Sequence, residues 1–147
     1  NLVFSAPTSQ PGPSDRSTGP AEAALAERLR AALSERHDLE VPVVVRTAAD
    51  VARIAAAHPG CDGPIEPKLL HVVLLDSAPA TERIGDVDVD AYLPDTWVLD
   101  GREVYVTYPN GSGRSKLIVD VFERGWGVTA TARNLNSMRK IAAMAQT

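Results

Sequence analysis

The chain carries an internal template. Glu35-Arg36 is followed by Val43-Val44-Val45-Arg46-Thr47 and then by Asp50-Val51-Ala52-Arg53-Ile54-Ala55-Ala56. Later, Glu123-Arg124 is followed by Ala130-Thr131-Ala132-Arg133-Asn134 and by Ser137-Met138-Arg139-Lys140-Ile141-Ala142-Ala143. Arg46 aligns with Arg133, Val51 with Met138, Arg53 with Lys140, and residues 54–56 with 141–143. One deleted residue brings the two Glu-Arg pairs into line. Self-similarity at fixed spacing denotes one structural unit used twice. It divides the chain into a first repeat, residues 1–59, and a second, residues 60–147. It speaks to construction and is silent on activity.

Each copy reads as strand, helix, strand, helix. In the first, residues 2–4 look like the end of a strand, and residues 5–19, rich in Pro, Ser, Gly and Thr, form a loop. Pro20 suits the first turn of a helix whose apolar stripe is Ala21, Leu25, Leu29, Ala32 and Leu33, ending at His37-Asp38. Residues 41–46 are nearly all β-branched and predict a strand. Thr47 and Asp50 resemble a capping box opening a helix that Pro59-Gly60 stops. In the second copy, residues 69–75 are an apolar run of buried-strand length. Residues 78–84 suit a short helix, and residues 86–90 a strand or extended loop. Residues 97–99 and 103–108 form a hairpin around Asp100-Gly101. A helix opens at Ser115 and ends at Gly125 and Gly127. A strand at 128–133 precedes a last helix capped by Asn134 or Asn136.

The first copy lacks counterparts of the strand at 69–75, the short helix and the strand at 97–99, and the chain starts at Asn1. We therefore expect an α+β fold of two related βαβα halves packed as one domain, the first half incomplete. We also expect the chain to be an N-terminally shortened piece of a longer protein.

The 147 residues suit one domain, and 44% hydrophobic against 23% charged content is ordinary for a globular protein. No apolar run has the length of a membrane span. Cys61 is the only cysteine, which excludes an internal disulfide and suits a reducing cytoplasm. Twelve Arg against three Lys, with abundant Ala and Val, point to a GC-rich bacterial source. The net charge of -4 is uneven: residues 60–103 carry -7 and residues 104–147 carry +4. The basic C-terminal quarter suits an anionic partner.

Gly101-Arg102-Glu103-Val104-Tyr105, Tyr108-Pro109, Gly113-Arg114-Ser115-Lys116-Leu117, Glu123 and Ala130-Thr131-Ala132-Arg133-Asn134 together resemble the C-terminal part of the domain-of-unknown-function 1697 family. Residues 41–47 and 70–75 fit its middle, and residues 1–4 look like the end of its Ser-Gly-Asn strand. Its opening strand and Leu-Arg-Gly-Ile-Asn-Val-Gly-Gly segment have no counterpart in these residues. The resemblance implies two ferredoxin-like halves. It implies no activity.

For chemistry, the strongest candidate is an anion cradle. A Gly-containing turn entering a helix presents free N–H groups to an anion. Gly113, Arg114, Ser115 and Lys116 fit this, with Tyr108 beside them and Arg133 and Asn134 joining if strand 128–133 neighbours strand 103–108. Their plain alternatives are an N-cap for Ser115 and an ion pair of Arg133 with Asp120 or Glu123. The order of residues is not that of a P-loop. Asp86, Asp88 and Asp90 begin like a calcium loop, but Ala91 and Trp97 stand where Gly and Glu are needed. His37, His58 and His71 lack metal-ligand spacing, and Trp97 and Trp126 read as core or interface anchors. We expect no cofactor, no metal and no catalytic residue. A binding module for an anionic ligand is the first reading, with nucleic acid a less favoured form of it. An enzyme on a phosphorylated or carboxylated substrate is the second. The third is an assembly protein, dimerising through an exposed sheet edge.

Overall fold

Leu70 to Leu75 is apolar on both faces, and such a strand is best placed between two others and beneath two layers. The computed structural model, which describes residues 20–146, puts it there. Strand β1 (Leu70–Leu75) is followed by the hairpin β2 (Thr96–Asp100) and β3 (Glu103–Thr107), and then by β4 (Ala130–Asn134). All pairings are antiparallel, in the order β2-β3-β1-β4. Val72 stands between Tyr105 of β3 and Arg133 of β4. The condition that strand 128–133 neighbours strand 103–108 is not met; β1, the strand with two apolar faces to bury, separates them.

One face of the sheet carries Val73, Leu75, Trp97, Val104, Val106 and Ala130. Helix α3 (Val119–Trp126) covers it with Phe122 and Trp126. Trp97 meets the Phe122 and Trp126 rings edge-on at 5.7 and 5.5 Å, so both tryptophans are core anchors. The other face carries Val72, Leu74 and Tyr105. It is covered by α2 (Ala48–Ala57), through Val51, Ile54 and Ala55, and by α4 (Leu135–Ala145), through Met138. These two helices pack on each other and start alike. The Asp50 N–H donates to Thr47 Oγ1 at 3.1 Å, and the Ser137 N–H to Asn134 Oδ1 at 2.8 Å. The fold is thus α+β, with an antiparallel sheet between helical layers.

Helix α1 (Pro20–His37) stands apart from this core: none of residues 21–37 is buried, and Leu25, Leu29 and Leu33 are only half covered. Asp38, with φ 52°, turns the chain at its end. Residues 41–46 then run back beside α1, with Glu40 near Arg30 and Arg46 reaching the Arg102 carbonyl. They continue without a turn or bend, yet no strand pairs with them among the described residues. The strand expected at 41–46 therefore has the shape of a strand's approach to a helix without its ladder. Pro42 supplies no N–H, and no neighbour is at hand. The strand expected at residues 2–4 lies outside the described residues.

Other expectations are adjusted locally. A 3-10 helix at Thr81–Asp86 replaces the helix expected at 78–84. Residues 86–90 pair with no strand among the described residues, and the Asp90 N–H donates to Asp88 Oδ1. Helix α3 begins at Val119, four residues after Ser115, and passes through Gly125 to end at Gly127 in the left-handed conformation. Gly125 is tolerated inside the helix because Val87 Cγ2 would lie 2.5 Å from any Cβ there. A close approach replaces the expected stop.

His58, fully buried at the end of α2, ties that helix to the sheet. Its Nδ1 accepts from the Gly60 N–H at 3.0 Å, which leaves the proton on Nε2 to meet the Val106 carbonyl at 3.0 Å. Burial holds the pKa of His58 and of His71 below the ordinary imidazole value. The unfolded chain takes up these protons near pH 6.5, the folded chain only at lower pH. Stability from this source is complete above that value and declines as the pH falls below it. A lower urea midpoint near pH 5 than near pH 7.5 is expected, with a smaller difference in His58→Phe. An unchanged difference in that variant would remove His58 from the account.

Candidate functional site

The predicted anion cradle is dispersed. Ser112–Arg114 form a short 3-10 turn after Gly111, and Gly113, Arg114 and Lys116 are exposed on it. Ser115 is the residue with a defined role. Its Oγ donates to Asp95 Oδ2 at 2.6 Å and accepts from the Leu117 N–H at 2.9 Å. Its donor is thus committed to a carboxylate. Tyr108 is buried, and its hydroxyl donates to the Leu117 carbonyl at 2.7 Å. Burial, helped by the Asp95 charge, pushes its pKa up to about 12, so it is a neutral strut. Arg133 and Asn134 sit across β1 from this turn. Asn134 caps α4, and Arg133 Nη1 donates to Thr131 Oγ1 at 2.9 Å and to the Ala132 carbonyl at 2.6 Å. The structure brings Tyr108 and Ser115 together and leaves Arg133 and Asn134 with other work.

A denser polar cluster forms where β3 begins. Glu103 is fully buried on the face covered by α2. Arg46 Nε lies 3.3 Å from its Oε1, and Arg53 Nη2 lies 3.6 Å from the same oxygen. Arg46 Nη2 also donates to the Leu75 and Arg102 carbonyls, at 2.6 and 3.1 Å. Arg102, itself buried, reaches Glu22 Oε2 at 2.9 Å and Asp50 Oδ2 at 3.6 Å. Three guanidinium groups and three carboxylates therefore interlock, and their formal charges cancel. Burial, with the like charge of Arg102, lowers the pKa of Arg46 against the pull of Glu103. Burial also draws Arg53 down, but Glu103 and Asp50 outweigh it and raise its pKa. A balanced cluster of this kind is cement before it is a ligand site. It fixes α1, residues 41–46 and α2 to the sheet. Reading along the chain missed it, since Glu103 beside a turn looks solvated. A charged residue within Glu103-Val104-Tyr105-Val106, buried on both faces, was the available signal.

Next to this cluster lies a groove of about 490 Å³. One wall is α1, through Glu22, Ala23, Ala26, Glu27 and Arg30; the other is residues 40–46; Asp76 and Thr129 close one end. Its walls are apolar in the middle and charged at the rim. It borders backbone that has no strand partner among the described residues.

The cluster predicts a measurable coupling. Arg46→Ala should cost about 3–5 kcal/mol by urea unfolding, because Glu103 would lose its nearest counter-charge in the interior. Glu103 Oε2 already lacks a donor among the described residues. The double replacement Arg46→Met with Glu103→Leu should therefore cost less than the two single changes summed. Strict additivity would show that the pair does not interact.

Comparison with known proteins places the chain by family alone. A family model described as "Protein of unknown function (DUF1697)" matches residues 14–105, from before α1 to the middle of β3. The resemblance seen beyond Tyr105 lies outside that match. No curated protein and no solved structure matches significantly. With well over half of its length matched, the chain belongs to the DUF1697 family.

Proposed function

We propose that this chain is an interaction module whose groove between α1 and residues 40–46 accepts an extended polypeptide segment as an added strand. The observation that carries this is a valine-rich stretch, without a strand partner among the described residues, that lines a concave surface beside a helix none of whose residues 21–37 is buried. Helices of globular proteins gain most of their stability from packing an apolar face. The half-covered Leu25, Leu29 and Leu33 of α1 present such a face. Unpaired backbone N–H and C=O groups recruit strands, and side-chain pockets then supply selectivity.

The internal repeat supports the same reading. Arg46-Thr47 and Arg133-Asn134 align, and each pair leads into a helix capped by its second residue. By that correspondence residues 43–46 match residues 130–133 of β4, and α1 matches α3. In the second half β1 lies against β4, and α3 closes the core above them. On that correspondence we assign the groove to the equivalent place in the first half. The anion-binding reading has less behind it, because Ser115 is bound to Asp95 and the remaining cradle residues are scattered.

The test is hydrogen exchange at residues 43–46 with a soluble peptide carrying the β1 sequence. Added-strand binding should protect alternate amides, since successive residues of a strand point to opposite sides. Of Val43→Pro and Val44→Pro, one should abolish the protection and the other leave it. Exchange unchanged at saturating peptide would refute the proposal.

A further inference from the structure

Helix α1 is closed at its own C-terminal end. The Asp38 N–H donates to the Ser34 carbonyl at 3.1 Å and the Leu39 N–H to the Leu33 carbonyl at 3.2 Å, so the last turn needs nothing from the rest of the protein. None of residues 21–37 is buried, and the helix has no extended packing on another helix or strand among the described residues. Its polar ties are few. Glu27 pairs with Arg30 within the helix. Arg30 and Ser34 reach Glu40, just beyond it. Among the described residues, only Glu22 ties α1 to the sheet, its Oε2 lying 2.9 Å from Arg102 Nη1. The side chains of this pair are 15% and 3% exposed, so solvent screens it little. Glu22 Oε2 takes no hydrogen bond, so the attraction is one of charges.

At the opposite end residues 38–42 are all exposed. Beneath the helix lies the groove, where Ala23 and Ala26 face residues 43–45. Arg46 holds the far wall to the sheet independently of α1, through Glu103 and the Leu75 carbonyl. We infer that α1 is a releasable lid over residues 43–45, latched by the Glu22–Arg102 pair and pivoting about residues 38–42. The device goes beyond the preceding reading and acts on the groove whichever segment lies in it.

Hydrogen exchange of the whole chain reads the release. A detached helix of this length is marginal in water, so release appears as exchange along all of α1 and not as fraying at one end. Glu22→Gln keeps the side chain's shape and removes its charge, while Arg102 retains Asp50 at 3.6 Å. It should speed exchange about tenfold throughout residues 24–37 and leave β1 and β3 within about twofold. Glu27→Gln, which removes an exposed pair inside the helix, should change α1 by less than about twofold. Unchanged exchange in α1 of Glu22→Gln would overturn the lid, as would an increase confined to the first turn. An equal increase in β1 would show that α1 leaves only when the protein unfolds, and would overturn it as well. An equal effect of Glu27→Gln would remove the latch from Glu22. Each of these outcomes leaves strand addition at residues 43–46 to its own test.

Discussion

Residues 41–46 are held to the sheet by the Arg46–Glu103 contact. Arg46 ends residues 41–46, precedes the cap of α2 and spans to the ends of β1 and β3 in one side chain. Arg102 extends the link to the first turn of α1 through Glu22, and to α2 through Asp50. These are long-range contacts between parts that share little apolar surface. Among the described residues, 41–46 and α1 add Val44 at the margin of the second core cluster and no fully buried apolar side chain. Ionic geometry thus takes over where hydrophobic burial is thin. Such geometry tolerates little displacement, since a buried charge that loses its partner is costly. The groove consequently has one firmly anchored end, at Arg46, and one end at Glu40 that faces water.

Much of the sheet was legible in the residues. The apolar run at β1 announces a strand covered on both faces. Asp100-Gly101 announces a tight turn, and Gly101 does take a positive φ of 64°. Thr47 with Asp50 announces the start of α2. In each case the signal and its structural consequence lie within a few residues. The failures share the opposite property. Nothing near Glu103 tells of Arg46, 57 positions earlier. Nothing near Ser115 tells of Asp95, which accepts its hydroxyl hydrogen bond, or of the later start of α3. Ser115 does accept a backbone N–H, that of Leu117, but within the turn before α3, whose N-cap is Ile118.

The candidate site divides along the same line. The proposed cradle rested on a local motif, and the fold spread its members over both sides of β1. The groove rests on relations between α1, residues 40–46 and the repeat, and only the repeat could be read in advance. That repeat foresaw two helices with matching starts. It did not foresee that one extended segment would have a ladder among the described residues and the other none. A side chain's type is set locally, whereas its availability is set by what the remaining chain brings to it.

The central position of β1 has a consequence for biosynthesis. Both neighbours of β1 come later in the chain, and its outer partner β4 ends only at Asn134. The β2–β3 hairpin, being local, can assemble early and dock against β1. The opposite edge of β1 then waits, unpaired, until β4 has emerged from the ribosome. A nascent chain halted between Thr107 and Ala130 therefore displays a sticky margin that the finished protein conceals, and translation speed across that interval governs how long it stays on view.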